Sequence, residues 1–398
     1  MIERRTSCGE WWWLALCVAV GGAVRVYLAM TATVIARDGV VYVTMARRMV
    51  TDWRGELAAD YPLGFPFLIR WVHGLVGPWL SGDAVMGWQR SGQVVSLLFG
   101  VGSIVLVYML ARRLIGGRGA MFAAWIWALL PQAAGLSADA LTDMPTVTLM
   151  LAGVLAVMRG GIGWFFVAGL LSGAASTMRP EGGEVVLVGL GVLALKRRNV
   201  EISKRRNEEE AQSADWRWRM LAGASLVAGF AVIGGSYILL EGGRVLHKQT
   251  WMGEQAAGVI EVSRYLLAGA ERGVVGAVGL IVEKLFGSLQ GVWMILGTGY
   301  VVVMRGRVFH RCDAMAAKLW WSLHAVILVW FASRAGYLSS RHCLVLDVCF
   351  VVMAAGLLAW AGEMATPRVP RFASAAANRG GVVALVVICA ALSPWLVR

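Results

Sequence analysis

Eleven stretches of mostly apolar residues constrain this chain more than any motif; they lie near 11–35, 91–111, 119–135, 141–157, 164–177, 183–195, 220–240, 287–304, 319–333, 342–362 and 381–397. A helix crosses a bilayer with about 17–25 such residues, and in lipid the backbone must satisfy its own hydrogen bonds, so segments of this kind become helices. The fifth and sixth stretches are the shortest. Composition agrees with a membrane protein: 58% of residues are hydrophobic and 15% charged, where soluble domains average about 45–50% and 25%. The sequence predicts an all-α, polytopic membrane bundle of about 11 transmembrane helices.

Charge sets the expected orientation. The opening "MIERRTSCGEWWWLALCVAVGGAV" has a basic flank and an apolar run without an evident cleavage site, which predicts an uncleaved anchor with residues 1–10 in the cytoplasm. With that side inside, the inner segments (1–10, 112–118, 158–163, 196–219, 305–318, 363–380) hold 21 Lys/Arg in 79 residues and the outer ones (36–90, 136–140, 178–182, 241–286, 334–341) hold 14 in 119. The excess follows the positive-inside rule and favours that orientation; the expected location is the inner (plasma) membrane. It also accounts for much of the +13 net charge; an anionic inner leaflet attracts such loops, and no nucleic-acid partner is needed. The run "KRRNVEISKRRNEEE" reads as a solvated cytoplasmic loop. Cys8, Cys17, Cys312, Cys343, Cys349 and Cys389 show no paired spacing and no CxxC, which argues against a disulfide framework or a zinc site.

Two outer segments are too long for turns. In 36–90, "DGVVYVTMARRMV" and "PFLIRWVHGLVGPWL" alternate apolar and polar residues near helical period, with Trp53, Trp71, Trp79 and Trp88 along the way, as helices lying in the interface do. Asp38, Tyr42 and Met45 share one face; Val41, Thr44 and Arg48 lie on another. The second segment, 241–286, carries His247, Lys248 and several other charges. Residues 363–380 read as a cytoplasmic loop and 381–398 as a last helix with no soluble domain after it.

Five charged clusters fall at the same ends of the spans: Arg37 with Asp38, Asp139 with Asp143, Arg179 with Glu181, His247 with Lys248, and Arg341 with His342. Charges near hydrocarbon are costly unless they face a cavity or a partner, so acids and bases gathered at one face suggest a site for an anionic headgroup and a proton. Each has a plainer reading. Asp139 and Asp143 could cap the helix begun by "LTDMPTVTLML", Arg179 could mark a turn, Arg341 and His342 could snorkel, and Asp38 could be solvated surface.

The order of these features resembles a family. An Asp on an amphipathic helix is followed by "YPLGFPFLIRWVHGLVG", by a span leading to "LLPQAAGLSADALTDMP", by "GLLSGAASTMRPEGG" and, late in the chain, by "GYLSSRHCLVLDVCFVVMAAGL". Over about residues 10 to 362 this is similar to the GT-C superfamily of integral membrane glycosyltransferases, in particular family 39 protein mannosyltransferases and aminoarabinose transferases. The resemblance implies a single GT-C-like domain over 11–362. It also implies an inverting transfer of a sugar from a polyprenyl-phosphate donor to an acceptor hydroxyl at the outer face. Asp38 and Asp143 then take the catalytic positions and Arg179, Arg341 and His342 the phosphate; Arg37 is added because it adjoins Asp38, where it would keep the carboxylate ionised or help hold the phosphate, and Lys248 on position alone. The membrane lipids are partners; no cofactor is certain, and a divalent metal stays open. Two features depart from the pattern. Gly39 follows Asp38 where many relatives have Asp-Glu, and the chain stops at "ALSPWLVR" where many carry an outer domain. A lipid or solute transporter and a non-catalytic remnant of the fold remain the alternatives. The sugar and the acceptor are set by pocket shape, which no single sequence reveals.

Overall fold

Each of the first ten expected spans falls on helix in the computed structural model, which describes residues 8–32, 34–57, 61–81, 83–195, 208–241, 273–304 and 314–365. The eleventh, 381–397, and the cluster of His247 and Lys248 lie outside the described residues. The helices are α1 (Cys8–Thr31), α2 (Arg37–Arg48), α3 (Trp53–Leu57), α4 (Gly64–Leu80), α5 (Ala84–Ile115), α6 (Gly117–Leu129), α7 (Pro131–Ala138), α8 (Asp143–Arg159) and α9 (Ile162–Ser176). They continue with α10 (Glu184–Leu195), α11 (Glu208–Phe230), α12 (Ser236–Leu240), α13 (Val274–Ser288), α14 (Val292–Met304), α15 (Met315–Ala335) and α16 (Leu344–Ala365).

By length and hydropathy five described segments are able to cross a membrane, or up to seven if two bent pairs each count as one span. Eleven full-length spans are therefore not confirmed. Helices α8, α9 and α10 have 17, 15 and 12 residues. They are short because the chain leaves helix early to form the turns that carry Asp143 and Arg179.

The bent pairs show how local chemistry shapes the bundle. Pro131 has no N–H to give to the carbonyl four residues back, so α6 ends and α7 sets off at 54°. Arg25, fully buried in α1, repairs that break. Its guanidinium donates to the carbonyls of Trp127 (3.3 Å), Ala128 (2.7 Å) and Gly21 (3.0 Å) and to Ser137 Oγ (3.1 Å). A charge at that depth is tolerable because each of the three guanidinium nitrogens finds an acceptor. The second pair, α13 and α14, turns back on itself at 114°. Residues 274–286 were expected within an outer loop; their apolar run is interrupted by Glu283 and Lys284, too short to register as a span, yet it becomes helix once it packs on α15.

The first outer segment folds as its periodicity predicts. Helix α2 buries Tyr42, Val43, Met45 and Ala46, and α4 packs against both α2 and α5. The main core runs through the bundle, and a satellite core of Ile35, Tyr42, Phe65, Ile69, Val95 and Ala140 cements the outer segment to it. Glu10 lies 3.7 Å from Arg112 and Arg118 lies 3.7 Å from Glu363. The ends expected on the cytoplasmic side thus meet at one end of the bundle, and Asp38, which follows the other end of α1, lies opposite.

Candidate active site

Three turns converge at that opposite end. Asp38 stands in the first turn of α2. Its backbone is held by Asp139, whose carboxylate accepts the N–H of Ala36 at 3.1 Å and of Ala140 at 2.8 Å. Burial pushes the pKa of Asp139 up, and these two donors oppose the shift. Asp139 therefore tethers α2, two residues ahead of Asp38, rather than capping the helix that follows it. Gly39 belongs to the same contact. A Cβ there would lie 3.0 Å from the Ala140 carbonyl oxygen, so the residue after Asp38 is small because two backbones meet.

The second turn is "RPEGG". Arg179 precedes a 3₁₀ turn, Pro180–Gly183, and forms a close ion pair with Asp143, the first residue of α8. Asp143 does not cap its own helix; its carboxylate is spent on Arg179. Arg179 also lies 3.5 Å from Glu181. Burial alone would raise the pKa of Glu181, but the guanidinium beside it overrides that and holds it below the usual carboxylate range. Gly182 lets this turn lie on α9: a Cβ would meet the backbone of Ala175 and Ser176 at 2.4 Å, and its carbonyl accepts from Ser172 Oγ at 2.7 Å.

The third turn is "SRHC", the 3₁₀ segment Ser340–Cys343 at the head of α16. Arg341 reaches back across the sequence to Asp38, 2.7 Å from Nη1 to Oδ2. Gln132 of α7 donates to Ser340 Oγ at 3.2 Å and so helps hold the turn.

Between the turns lies a small cavity lined by Asp143, Thr146, Arg179, Glu181, Arg341 and His342, with His324 of α15 at its wall. Its volume is about 20 Å³, room for about one water. Three buried polar atoms on its lining have no hydrogen-bond partner: Asp143 Oδ2, Thr146 Oγ1 and Arg341 Nε. Unpaired buried polar atoms are rare and point to a group that completes them. Tyr42, one turn after Asp38, meets Thr142 through its hydroxyl, and burial pushes its pKa up to about 12. It faces the site as a neutral phenol.

Of the residues predicted from sequence, the structure brings together Asp38, Asp143, Arg179, Arg341 and His342. Arg37 is exposed, and the ion pair of Asp38 is with Arg341 instead. Lys248 lies outside the described residues. Among the described residues no three His, Cys, Asp or Glu side chains converge where a metal ion could be held, and both aspartates are engaged by guanidinium groups. Thr146, Glu184 and His324 were missed. His324 had a readable signal, an ionisable side chain inside an apolar span.

The family profile for dolichyl-phosphate-mannose-protein mannosyltransferases matches residues 60–206. That stretch contains Asp143 and Arg179, whereas Asp38 and Arg341 fall outside it. No curated protein sequence matches the chain. Solved membrane glycosyltransferases share its fold. The Cupriavidus metallidurans ArnT bound to undecaprenyl phosphate superposes with a TM-score of 0.57 at 18% identity, covering 96% of this chain and 71% of that one. The Archaeoglobus fulgidus oligosaccharyltransferase, solved with Zn and sulfate, gives 0.58 at 15% identity over 96% of this chain and 53% of its own. Its complex with an inhibitory peptide and a dolichol-phosphate gives 0.57 at 14%, over 97% and 56%. The chain spans about half the length of the archaeal enzyme. A multispan membrane protein with a GT-C-like fold is what these likenesses establish.

Proposed function

We propose that the protein is an inverting glycosyltransferase that moves a sugar from a polyprenyl-phosphate donor to an acceptor hydroxyl at the outer membrane face. The observation that carries this reading is the meeting of Asp143, Arg179 and Arg341 around one cavity whose unpaired atoms include both a donor and an acceptor, with Asp38 joined to it through its ion pair with Arg341. The ArnT structure binds undecaprenyl phosphate and one archaeal structure a dolichol-phosphate, which supports a carrier phosphate as the missing group.

The chemistry divides between the residues. The leaving phosphate gathers charge as the glycosidic bond breaks, and fixed guanidinium groups stabilise it without reorganising. Arg341 is the more available clamp, with an unpaired Nε and a single carboxylate partner. Arg179, held by Asp143 and Glu181, supplies positive field from behind. A phosphate arriving at Arg341 competes with Asp38 for the same guanidinium. Donor binding would thereby release the Asp38 carboxylate to accept the proton of the acceptor hydroxyl as that oxygen attacks the anomeric carbon and the phosphate departs. The sugar and the acceptor are left undefined.

The test is transfer and binding by the purified protein in lipid, with polyprenyl-phosphate sugars set against nucleotide sugars. Binding of the polyprenyl donor and of the bare polyprenyl phosphate is expected. Preference for a nucleotide sugar, or indifference to the phosphate, overturns the reading.

A further inference from the structure

His324 sits in the middle of α15, almost fully buried, and touches two of the three turns that build the site. Its Nδ1 lies 2.9 Å and 3.1 Å from the two carboxylate oxygens of Glu184, the residue that begins α10 directly after the "RPEGG" turn. Its Nε2 lies 3.0 Å from the backbone carbonyl of His342 in the "SRHC" turn. One imidazole thus bridges the segment that carries Arg179 and the segment that carries Arg341.

The proton inventory of this bridge is fixed by its partners. A carbonyl oxygen can only accept, so Nε2 carries a hydrogen. Nδ1 then either carries a second hydrogen facing a carboxylate or accepts one from a carboxylic acid. In both cases the Glu184–His324 couple is neutral overall and holds one proton between its members. An orphaned buried charge is avoided, and the ring cannot rotate without breaking a bond at one end or the other.

Resting on the glycosyltransferase reading above, we infer that Glu184 and His324 form a positioning pair that sets the spacing between the guanidinium groups of Arg179 and Arg341, and hence the fit of the site to a carrier phosphate. Neither residue touches the reacting atoms. The geometry distinguishes this from bundle glue: the bond at Nε2 is to the backbone of the residue next to Arg341, and Glu184 follows Glu181, the partner of Arg179, by one turn. A displacement of about 1 Å in a charged clamp can cost on the order of a hundredfold in the step it serves.

The experiment compares undecaprenyl phosphate binding, and donor KM against kcat, for the reconstituted parental protein and four variants. Replacing His324 alone leaves Glu184 buried without its partner, and that variant could fail to fold. The double variant His324→Leu/Glu184→Leu removes both members, and exchanging a buried pair for apolar residues is often neutral for stability. It should keep its thermal midpoint, lose roughly ten- to a hundredfold in phosphate affinity and in KM, and change kcat little. Glu184→Gln should stay near the parental value, because its amide can donate to Nδ1 while Nε2–H still holds the His342 carbonyl. In an Arg341→Ala background the same double replacement should add little further loss, since the pair acts through that turn. Parental affinity in the double variant, or a loss that adds in full to that of Arg341→Ala, overturns the inference. Failure of the parental protein itself to bind undecaprenyl phosphate overturns the functional reading beneath it.

Discussion

Arg179 and Arg341 each meet an aspartate, and their surroundings differ enough to give the two pairs different work. Asp143 is 2% exposed and Arg179 18%, and Glu181 stands close to the same guanidinium. Removing one partner of such a pair strands a buried charge and costs about 3–5 kcal/mol. Arg341 and Asp38 are 30% and 28% exposed, nearer the regime in which an ion pair contributes about 0.2–1 kcal/mol and opens readily. The inner pair is therefore a fixture and the outer pair an exchangeable contact. The same division follows the family likeness: the matched stretch contains the inner pair, while both members of the outer pair lie beyond it.

The largest effect is expected where the outer pair meets chemistry. Asp38→Asn keeps the shape but cannot accept a proton, so single-turnover transfer should fall by about 10²–10⁴-fold while polyprenyl phosphate binds no worse. A folded Asp38→Asn protein that transfers sugar at the parental rate would move the base to Asp143.

Next comes the fixture. Arg179→Met leaves Asp143 and Glu181 facing one another without a cation, and should lower unfolding stability by about 3–5 kcal/mol, read as a fall in thermal midpoint in detergent. A variant as stable as the parent would show that the inner pair is as exchangeable as the outer one, and the comparison would collapse.

Arg341→Ala should weaken binding of bare polyprenyl phosphate by roughly ten- to a hundredfold, the span of about 1.5–3 kcal/mol for hydrogen bonds to a charged group. Arg341→Lys should fall between, since an ammonium cannot hold two phosphate oxygens at once. Equal affinity in parent and both variants would make Arg341 a boundary anchor only.

Acid should loosen the inner pair by a smaller amount. The folded pKa of Glu181 is depressed by Arg179, so its contribution is fully present above the unfolded carboxylate value of about 4.3 and is lost as pH falls below it. Thermal midpoints of the parent should drop over that range more steeply than those of Glu181→Gln. Parallel curves would detach Glu181 from the cluster.

How much of this was legible depends on sequence distance. The helices and the interfacial segment were readable because apolar length and a 3.6-residue period are local properties, and α2 buries Tyr42 and Met45 as its pattern requires. Asp143 and Arg179 were legible as charges at span ends, but their pairing across 36 residues was not. The partner of Asp38 lies in a turn some three hundred residues further on, and nothing local announces it. For Asp139 the sequence left a site role and a cap of the following helix both open, because a short polar side chain near two helix starts can serve either; it holds Ala36 ahead of α2. His324 stands within "WWSLHAVILVW", where the signal is local: an imidazole inside an apolar span needs a partner.

Arg37 is the sharpest small test of the comparison, because sequence adjacency and three-dimensional position disagree about it. It precedes Asp38 directly, which made it a candidate for the phosphate. On a helix, however, neighbours at i and i+1 point about 100° apart, and Asp38 turns inward to Arg341 while Arg37 is exposed. A long basic side chain in water is screened and keeps its rotamer freedom. Arg37→Ala should change donor affinity and stability by no more than about 0.5 kcal/mol, below the effect of every substitution above. A loss of tenfold or more in polyprenyl phosphate affinity would mean that the carrier approaches over the outer surface of α2, and the exchangeable contact of this site would then be Arg37 rather than Arg341.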